Sequence, residues 1–234
     1  ARYHQALLTE IQRAGNQYGK LNISSLYFGG GTPTLMLAEL GDVMNAIREQ
    51  FALAGPAAIE TTPADLTTET AARLRSLGFG LVSLGVQSYQ DRFLRNIGRP
   101  YNGATAAHAC AILKDAGFPT LNIDLMFALP GQTIADLRRD LGDAIRHGPD
   151  QITCYPLFTF PYTSVNRWVI KNRVVVPKLW LRWRMYRVIC DMLGENGYVR
   201  ASVWSFIRQG TTAFSSVTRD RYLGFGAGAA SYNG

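Results

Sequence analysis

Two periods of apolar spacing alternate along this chain. Leu7, Leu8 and Ile11 recur at helical spacing within residues 5–14. Residues 23–28 are a compact apolar run and predict a strand. Residues 36–51 return to helix, with Leu40, Val43, Met44 and Ile47 on one face. The alternation continues with strands at 57–60, 81–86, 121–127 and 151–155. Helices fall between them at 67–77, 105–116 and 133–147. The last of these is the clearest, with Ile134, Leu137, Leu141 and Ile145 on one face. The helix endings repeat: Gly78-Phe79, Gly117-Phe118 and Gly197-Tyr198 each set a glycine after the last turn and an aromatic at the next strand. Glycine takes the left-handed conformation that closes a helix without a Cβ clash. The strand runs are apolar throughout, which predicts cover on both faces. The class is α/β, either a (β/α) barrel or a doubly wound sheet.

Beyond Pro161 the pattern loosens. Residues 161–177 read as a connecting loop, with a short hairpin at Val174-Val175-Val176. Residues 178–193 predict a helix whose apolar stripe is Leu179, Trp183, Tyr186, Ile189 and Leu193, with Arg184, Arg187 and Asp191 on another face. That stripe is expected to pack into the core.

Composition narrows the function classes. A chain of 234 residues can fill the core of one barrel-type domain. No apolar run reaches the roughly eighteen residues of a membrane helix, so no membrane span is expected. The first residues carry no signal pattern. A net charge of +7 suits an anionic small molecule. The Lys and Arg residues are scattered, so nucleic acid is not an expected partner. Cys110, Cys154 and Cys190 share no metal-ligand spacing and read as reduced thiols in the core, which points to the cytoplasm. His4, His108 and His147 fall on helices, are expected in solvent, and are assigned no role. No metal ligand and no catalytic residue is assigned.

Candidate chemistry gathers where strands end, the face on which parallel α/β folds keep their sites. Gly29-Gly30-Gly31-Thr32-Pro33-Thr34 follows a strand and opens a helix. Its glycines let a ligand approach the backbone closely. No Gly-Lys-Ser/Thr follows, so it is not a phosphate loop. Glu60, Gln87, Arg99 and Asp124 lie at or just past strand ends. Carboxylates accept from ammonium and hydroxyl groups, and arginine pairs with carboxylate, so the four suit a ligand with an amino-acid end and a ribose. Each alone is also an ordinary structural hydrogen bonder. Gly224-Phe225-Gly226-Ala227-Gly228-Ala229 fits G-x-G-x-x-A, which keeps a nicotinamide oxidoreductase open as an alternative. A turn lining the strand-end pocket is the preferred reading of that segment.

Ser25-Leu26-Tyr27-Phe28-Gly29-Gly30-Gly31-Thr32-Pro33-Thr34 resembles the loop that holds the amino group of S-adenosylmethionine (SAM) in radical SAM enzymes. The narrower resemblance is to the oxygen-independent coproporphyrinogen III oxidase family, which includes the HemW-like haem chaperones. Gly85-Val86-Gln87-Ser88 with Gly98-Arg99 supports it. So do the run from Asn122 through Asp124 to Pro130-Gly131-Gln132-Thr133, and Tyr222-Leu223-Gly224-Phe225-Gly226-Ala227-Gly228. The resemblance implies a partial (β/α)6 TIM-like barrel, incomplete at both ends. Residues 1–160 would be the core barrel without its first strand and cluster loop. Residues 178–234 would be its last elements, leading to a C-terminal domain. Gly30, Gly31 and Thr32 would hold the methionine end of SAM. Glu60, Gln87, Arg99 and Asp124 would bind its polar groups and ribose, and Phe158 and Ala230 would pack the adenosyl group or a second SAM.

The implied cofactors are SAM and a [4Fe–4S] cluster held by C-x3-C-x2-C. That motif is absent here, so the chain reads as an internal fragment, with a cluster-less paralogue as the alternative. The implied activity is oxidative decarboxylation of coproporphyrinogen III propionates to vinyls, giving protoporphyrinogen IX. A flavodoxin or ferredoxin would donate the electron. The alternatives within the family are a haem chaperone without oxidase activity and an enzyme acting on another substrate such as haem.

Overall fold

The computed structural model describes residues 2–158, 167, 174–211 and 221–232. In chain order the described elements begin with α1 (Arg2–Tyr18), β1 (Asn22–Ile23), β2 (Leu26–Phe28), a 3-10 turn at Pro33–Met36, α2 (Leu40–Gln50), β3 (Ala52–Leu53) and β4 (Ala57–Thr61). Then come α3 (Thr68–Leu77), β5 (Phe79–Gln87), α4 (Asp91–Asn96), α5 (Gly103–Asp115), β6 (Thr120–Phe127), α6 (Ile134–Arg146) and β7 (Gln151–Pro156). They close with α7 (Leu179–Glu195), β8 (Tyr198–Arg200) and β9 (Ser205–Arg208).

The main sheet runs in the order β2-β4-β5-β6-β7-β9-β8. Its first five strands are parallel and sequential neighbours. β9 and β8 then add antiparallel at the β7 edge. A doubly wound sheet would reverse its order at a switch point. Here every parallel crossover steps the same way, and right-handed crossovers then put their helices on one side. One core confirms this. It unites Met44 of α2, Leu74 of α3, Leu113 of α5, Leu141 of α6 and Ile189 of α7 with Val82, Ile123 and Ile152 of the strands. The other face of the sheet is the barrel interior.

That interior corrects the expectation of strands apolar on both faces. Val82, Leu84 and Val86 of β5 face the helices, while Ser83 between them bonds into the interior. Asn122, Asp124, Gln151 and Thr153 do the same on β6 and β7. Alternation, hidden by the flanking apolar residues, is what a sheet with one polar face requires.

The helix stops are as expected: Gly78, Gly117 and Gly197 take φ of 90°, 67° and 83°. Thr133 and Asp136 form a capping box that starts α6. Other bounds differ. The strand expected at 23–28 breaks at Ser24-Ser25, and its start pairs with β3. The helix expected over 36–51 is the Pro33–Met36 turn followed by α2, with Phe51 extended. α4 and β9 were not expected from the pattern.

On α7 the buried stripe is Met185, Ile189 and Leu193, whereas Leu179 and Trp183 are 82% and 58% exposed. Arg187 lies over the Trp183 ring at 5.0 Å, which covers an outward indole. Val174, Val175 and Val176 form no strand. The remainder of the expected 161–177 loop, apart from Arg167 and Pro177, lies outside the described residues. His147 is half-buried, stacked on Tyr89, and its pKa is lowered chiefly by burial. It is therefore not the solvated group expected. His4 sits 3.5 Å from Asp42, and His108 is exposed.

Candidate ligand site at the strand ends

The first strand end is built by glycine. β2 leads into Gly29-Gly30-Gly31, where Gly30 and Gly31 take φ of 82° and 35°. A Cβ at either would meet nothing within 4 Å, so conformation, rather than crowding, requires glycine there. Gly29 is different: a Cβ would lie 2.2 Å from the Tyr27 ring. Pro33 then opens the 3-10 turn. Thr34 is buried, with its hydroxyl 3.1 Å from that of Thr61 on β4. That bond ties the loop to the next strand.

Glu60 projects from β4 into the interior. The Tyr27 hydroxyl donates to its Oε1, and the Gly30 N–H also bonds its carboxylate. Burial nevertheless dominates and raises its pKa. Asp124 on β6 is held on both oxygens. The Ser83 hydroxyl donates to Oδ2 at 2.8 Å, and Asn122 Nδ2 donates to Oδ1 at 2.8 Å. Asn122 also donates to Ser83 at 2.6 Å and accepts from Thr153 at 2.9 Å. Burial, opposed by these bonds and reinforced by the Glu60 charge, pushes Asp124 up to about 6. Tyr155 of β7 is pushed up to about 12 by burial and then by Asp124 and Glu60. These groups therefore share one electrostatic site.

Gln87 ends β5 at φ 67°, a left-handed position rare for a residue with a side chain. Its amide folds back over Gly85, where a Cβ would lie 2.9 Å from Nε2. The bulge between Leu84 and Gln87 re-aims the strand end toward the site. Asp140 of α6 holds the next residues, accepting from the Ser88 hydroxyl at 2.8 Å and the Tyr89 N–H at 2.9 Å.

The structure thus brings Gly30, Glu60 and Asp124 together, with Gln87 on the intervening strand. Gly31 is exposed and Thr32 half-buried on the same loop. Arg99 is exposed after α4, with no ion pair among the described residues. It is near enough to Tyr101 to influence its phenol, and the Tyr101 hydroxyl donates to the Gly85 carbonyl at 2.6 Å. Phe158 lies beyond β7 with its ring edge toward Trp204, 6.4 Å away. Ala230 is exposed in a segment that packs on α1 and α2. There Phe225 stacks on Phe51 at 6.3 Å, and the Gly226 N–H donates to Glu10 at 2.8 Å.

Pattern reading missed Tyr27, Ser83, Asn122, Thr153 and Tyr155. Their only signal was polar residues two apart within apolar runs. The three cysteines do not fit a cluster. Cys110 and Cys154 are buried in the helix-side core, where burial pushes Cys110 up to about 11 and Cys154 higher still. Cys190 packs against the same core from α7.

Residues 3–144 match the radical SAM superfamily. The chain belongs to that superfamily. Among curated proteins it is similar to the heme chaperone HemW of Bacillus subtilis, 28% identical over 99% of this chain and 63% of that protein. It is also similar to the oxygen-independent coproporphyrinogen III oxidase of Bradyrhizobium diazoefficiens, 29% identical over 98% of this chain and 55% of that protein. The chain therefore spans less than two thirds of either relative. Coproporphyrinogen III oxidase (HemN) of Escherichia coli, a radical SAM enzyme, superposes with a TM-score of 0.80. It is 24% identical, covering 89% of this chain and 49% of that one, and it carries the fold assignment. That fold is the partial barrel of radical SAM proteins, whose cofactors are SAM and an iron–sulfur cluster. Among the described residues, no helix is long and apolar enough to cross a membrane.

Proposed function

We propose that this chain forms the SAM-binding part of an oxidoreductase of tetrapyrrole metabolism. The reaction is the one named for coproporphyrinogen III oxidase, oxidative loss of propionate carboxyls to leave vinyls. The observation that carries this reading is the pair of half-buried carboxylates on the barrel interior, Glu60 near the end of β4 and Asp124 within β6, beside an open glycine loop. The donor set suits SAM. Glu60 accepts from the methionine ammonium, while the Gly31 and Thr32 backbone approaches its carboxylate, which Arg99 also reaches. Asp124 accepts from the ribose hydroxyls, and Gln87 hydrogen-bonds between them. Phe158 and Ala230 are assigned to the adenosyl side.

Bound SAM supplies a one-electron route to C–H oxidation once an iron–sulfur cluster reduces it. Among the described residues no group of three or more His, Cys, Asp or Glu side chains could hold a metal ion, and the three cysteines lie in or against the helix-side core. This chain's own share is binding, orientation and exclusion of water. Its net charge of +7 favours a substrate bearing carboxylates, and a flavodoxin or ferredoxin suits the electron supply.

A haem chaperone is the second reading, favoured by the 28% identity to a heme chaperone across 99% of the chain. Calorimetry with SAM tests the first step, on the anaerobically purified whole protein reconstituted with iron and sulfide. Asp124→Ala and Arg99→Ala should each weaken binding about tenfold or more. No binding by the unaltered protein removes the proposed SAM-binding role. Haem titration beside coproporphyrinogen turnover then separates carrier from oxidase.

A further inference from the structure

The loop that leaves β6 contains Pro130-Gly131-Gln132-Thr133, a motif that the strand-end site does not use. Gln132 is only 3% exposed. Its Oε1 accepts from the Leu129 N–H at 3.2 Å, which fixes the orientation of the amide. Nε2 is then left buried with no acceptor among the described residues. An unsatisfied buried donor costs about 1–3 kcal/mol. Such a group calls for a partner that the described residues do not supply.

Gln132 lines a cavity of about 790 Å3, within the range of small-molecule sites. Ile97, Leu157, Val176 and Leu181 give it apolar walls. Lys178 and Trp180 line it too, at the start of α7. No side chain caps that helix. The Leu181 N–H returns to the Lys178 carbonyl at 3.0 Å, while those of Leu179 and Trp180 have no acceptor among the described residues. Seventeen residues of helix put the positive end of a dipole there. No Asp or Glu is among the described lining residues. Glu60, Gln87 and Asp124 are not among them either.

We propose that this cavity is a second ligand site, separate from the strand-end site, for a carboxylate carried on an apolar body. The carboxylate meets Gln132 Nε2, Lys178 and the open N–H groups of α7, and the body fills the apolar walls. A tetrapyrrole with propionate arms and a fatty acid share this chemistry. Coproporphyrin III and decanoate are therefore the two probes, titrated into the whole protein.

Gln132→Glu keeps the acceptor for Leu129 and replaces the donor with a negative charge. Lys178→Glu reverses the charge at the helix start without touching the core. Each variant should weaken binding of the favoured probe about tenfold or more, with SAM affinity unchanged. Dependence seen only with coproporphyrin names the tetrapyrrole source, and dependence seen with decanoate names a lipid acid. The proposal is overturned if neither probe binds, or if a folded Gln132→Glu protein binds as tightly as the unaltered one. Should Gln132→Glu fail to fold, unchanged binding by Lys178→Glu overturns it equally.

Discussion

Asp124 shows how much one half-buried carboxyl carries. Its folded pKa of about 6 stands above the roughly 3.9 of an unfolded aspartate. Between those values the folded state holds a proton that the unfolded state has released. This group's contribution is therefore most favourable below about pH 4 and is lost as pH rises through about 6. The expected decline is on the order of 2 kcal/mol. Asp124→Asn should flatten it in urea unfolding measured from pH 4 to 7. It should also lower stability overall, because Ser83 and Asn122 both donate and one would then face an amide N–H. Ligand binding runs the other way: SAM affinity should fall as pH drops below 6 and the carboxylate is protonated. Gln87 holds a left-handed φ that glycine adopts freely. Gln87→Gly should therefore stabilise the fold by about 1 kcal/mol and weaken SAM binding, read by urea denaturation and calorimetry. A rise in both would remove Gln87 from the site.

Individual elements position these residues from behind. α6 supplies Asp140, only 1% exposed, to hold Ser88 and Tyr89 directly after Gln87. The Gln90 side chain adds a bond to the Asp136 carbonyl at 2.9 Å. Asp140→Leu should cost about 2–4 kcal/mol, since it strands two buried donors, and should loosen the Gln87 turn. Thr133→Ala, which removes only the capping box of α6, should cost about 1 kcal/mol and leave SAM binding intact. Equal losses of binding in both variants would mean that α6 as a whole, not the Asp140 latch, matters. The helices themselves were legible because their apolar spacing and glycine stops are local. The α7 face was not. Leu179 and Trp183 satisfy the helical period, but arginine covers the outward indole, and Met185 takes the core position instead.

At the scale of the molecule, the five sequential parallel strands put Gly30, Glu60, Gln87 and Asp124 on one rim. A ligand that spans them should stabilise the whole protein by about 2.7 kcal/mol at a hundredfold excess over its Kd. A SAM-dependent shift in urea midpoint measures this. The alternation of strand and helix was already determined by the sequence, because hydrophobic period and helix stops act over a few residues. So were the glycine loop and the polar residues at strand ends. The choice between barrel and doubly wound sheet was not, since both use the same repeat and differ only in which neighbour each strand pairs with. Tertiary structure alone also decided the polar interior. Ser83, Asn122 and Thr153 are unremarkable one by one, and they become the support of Asp124 only when adjacent strands bring them into register.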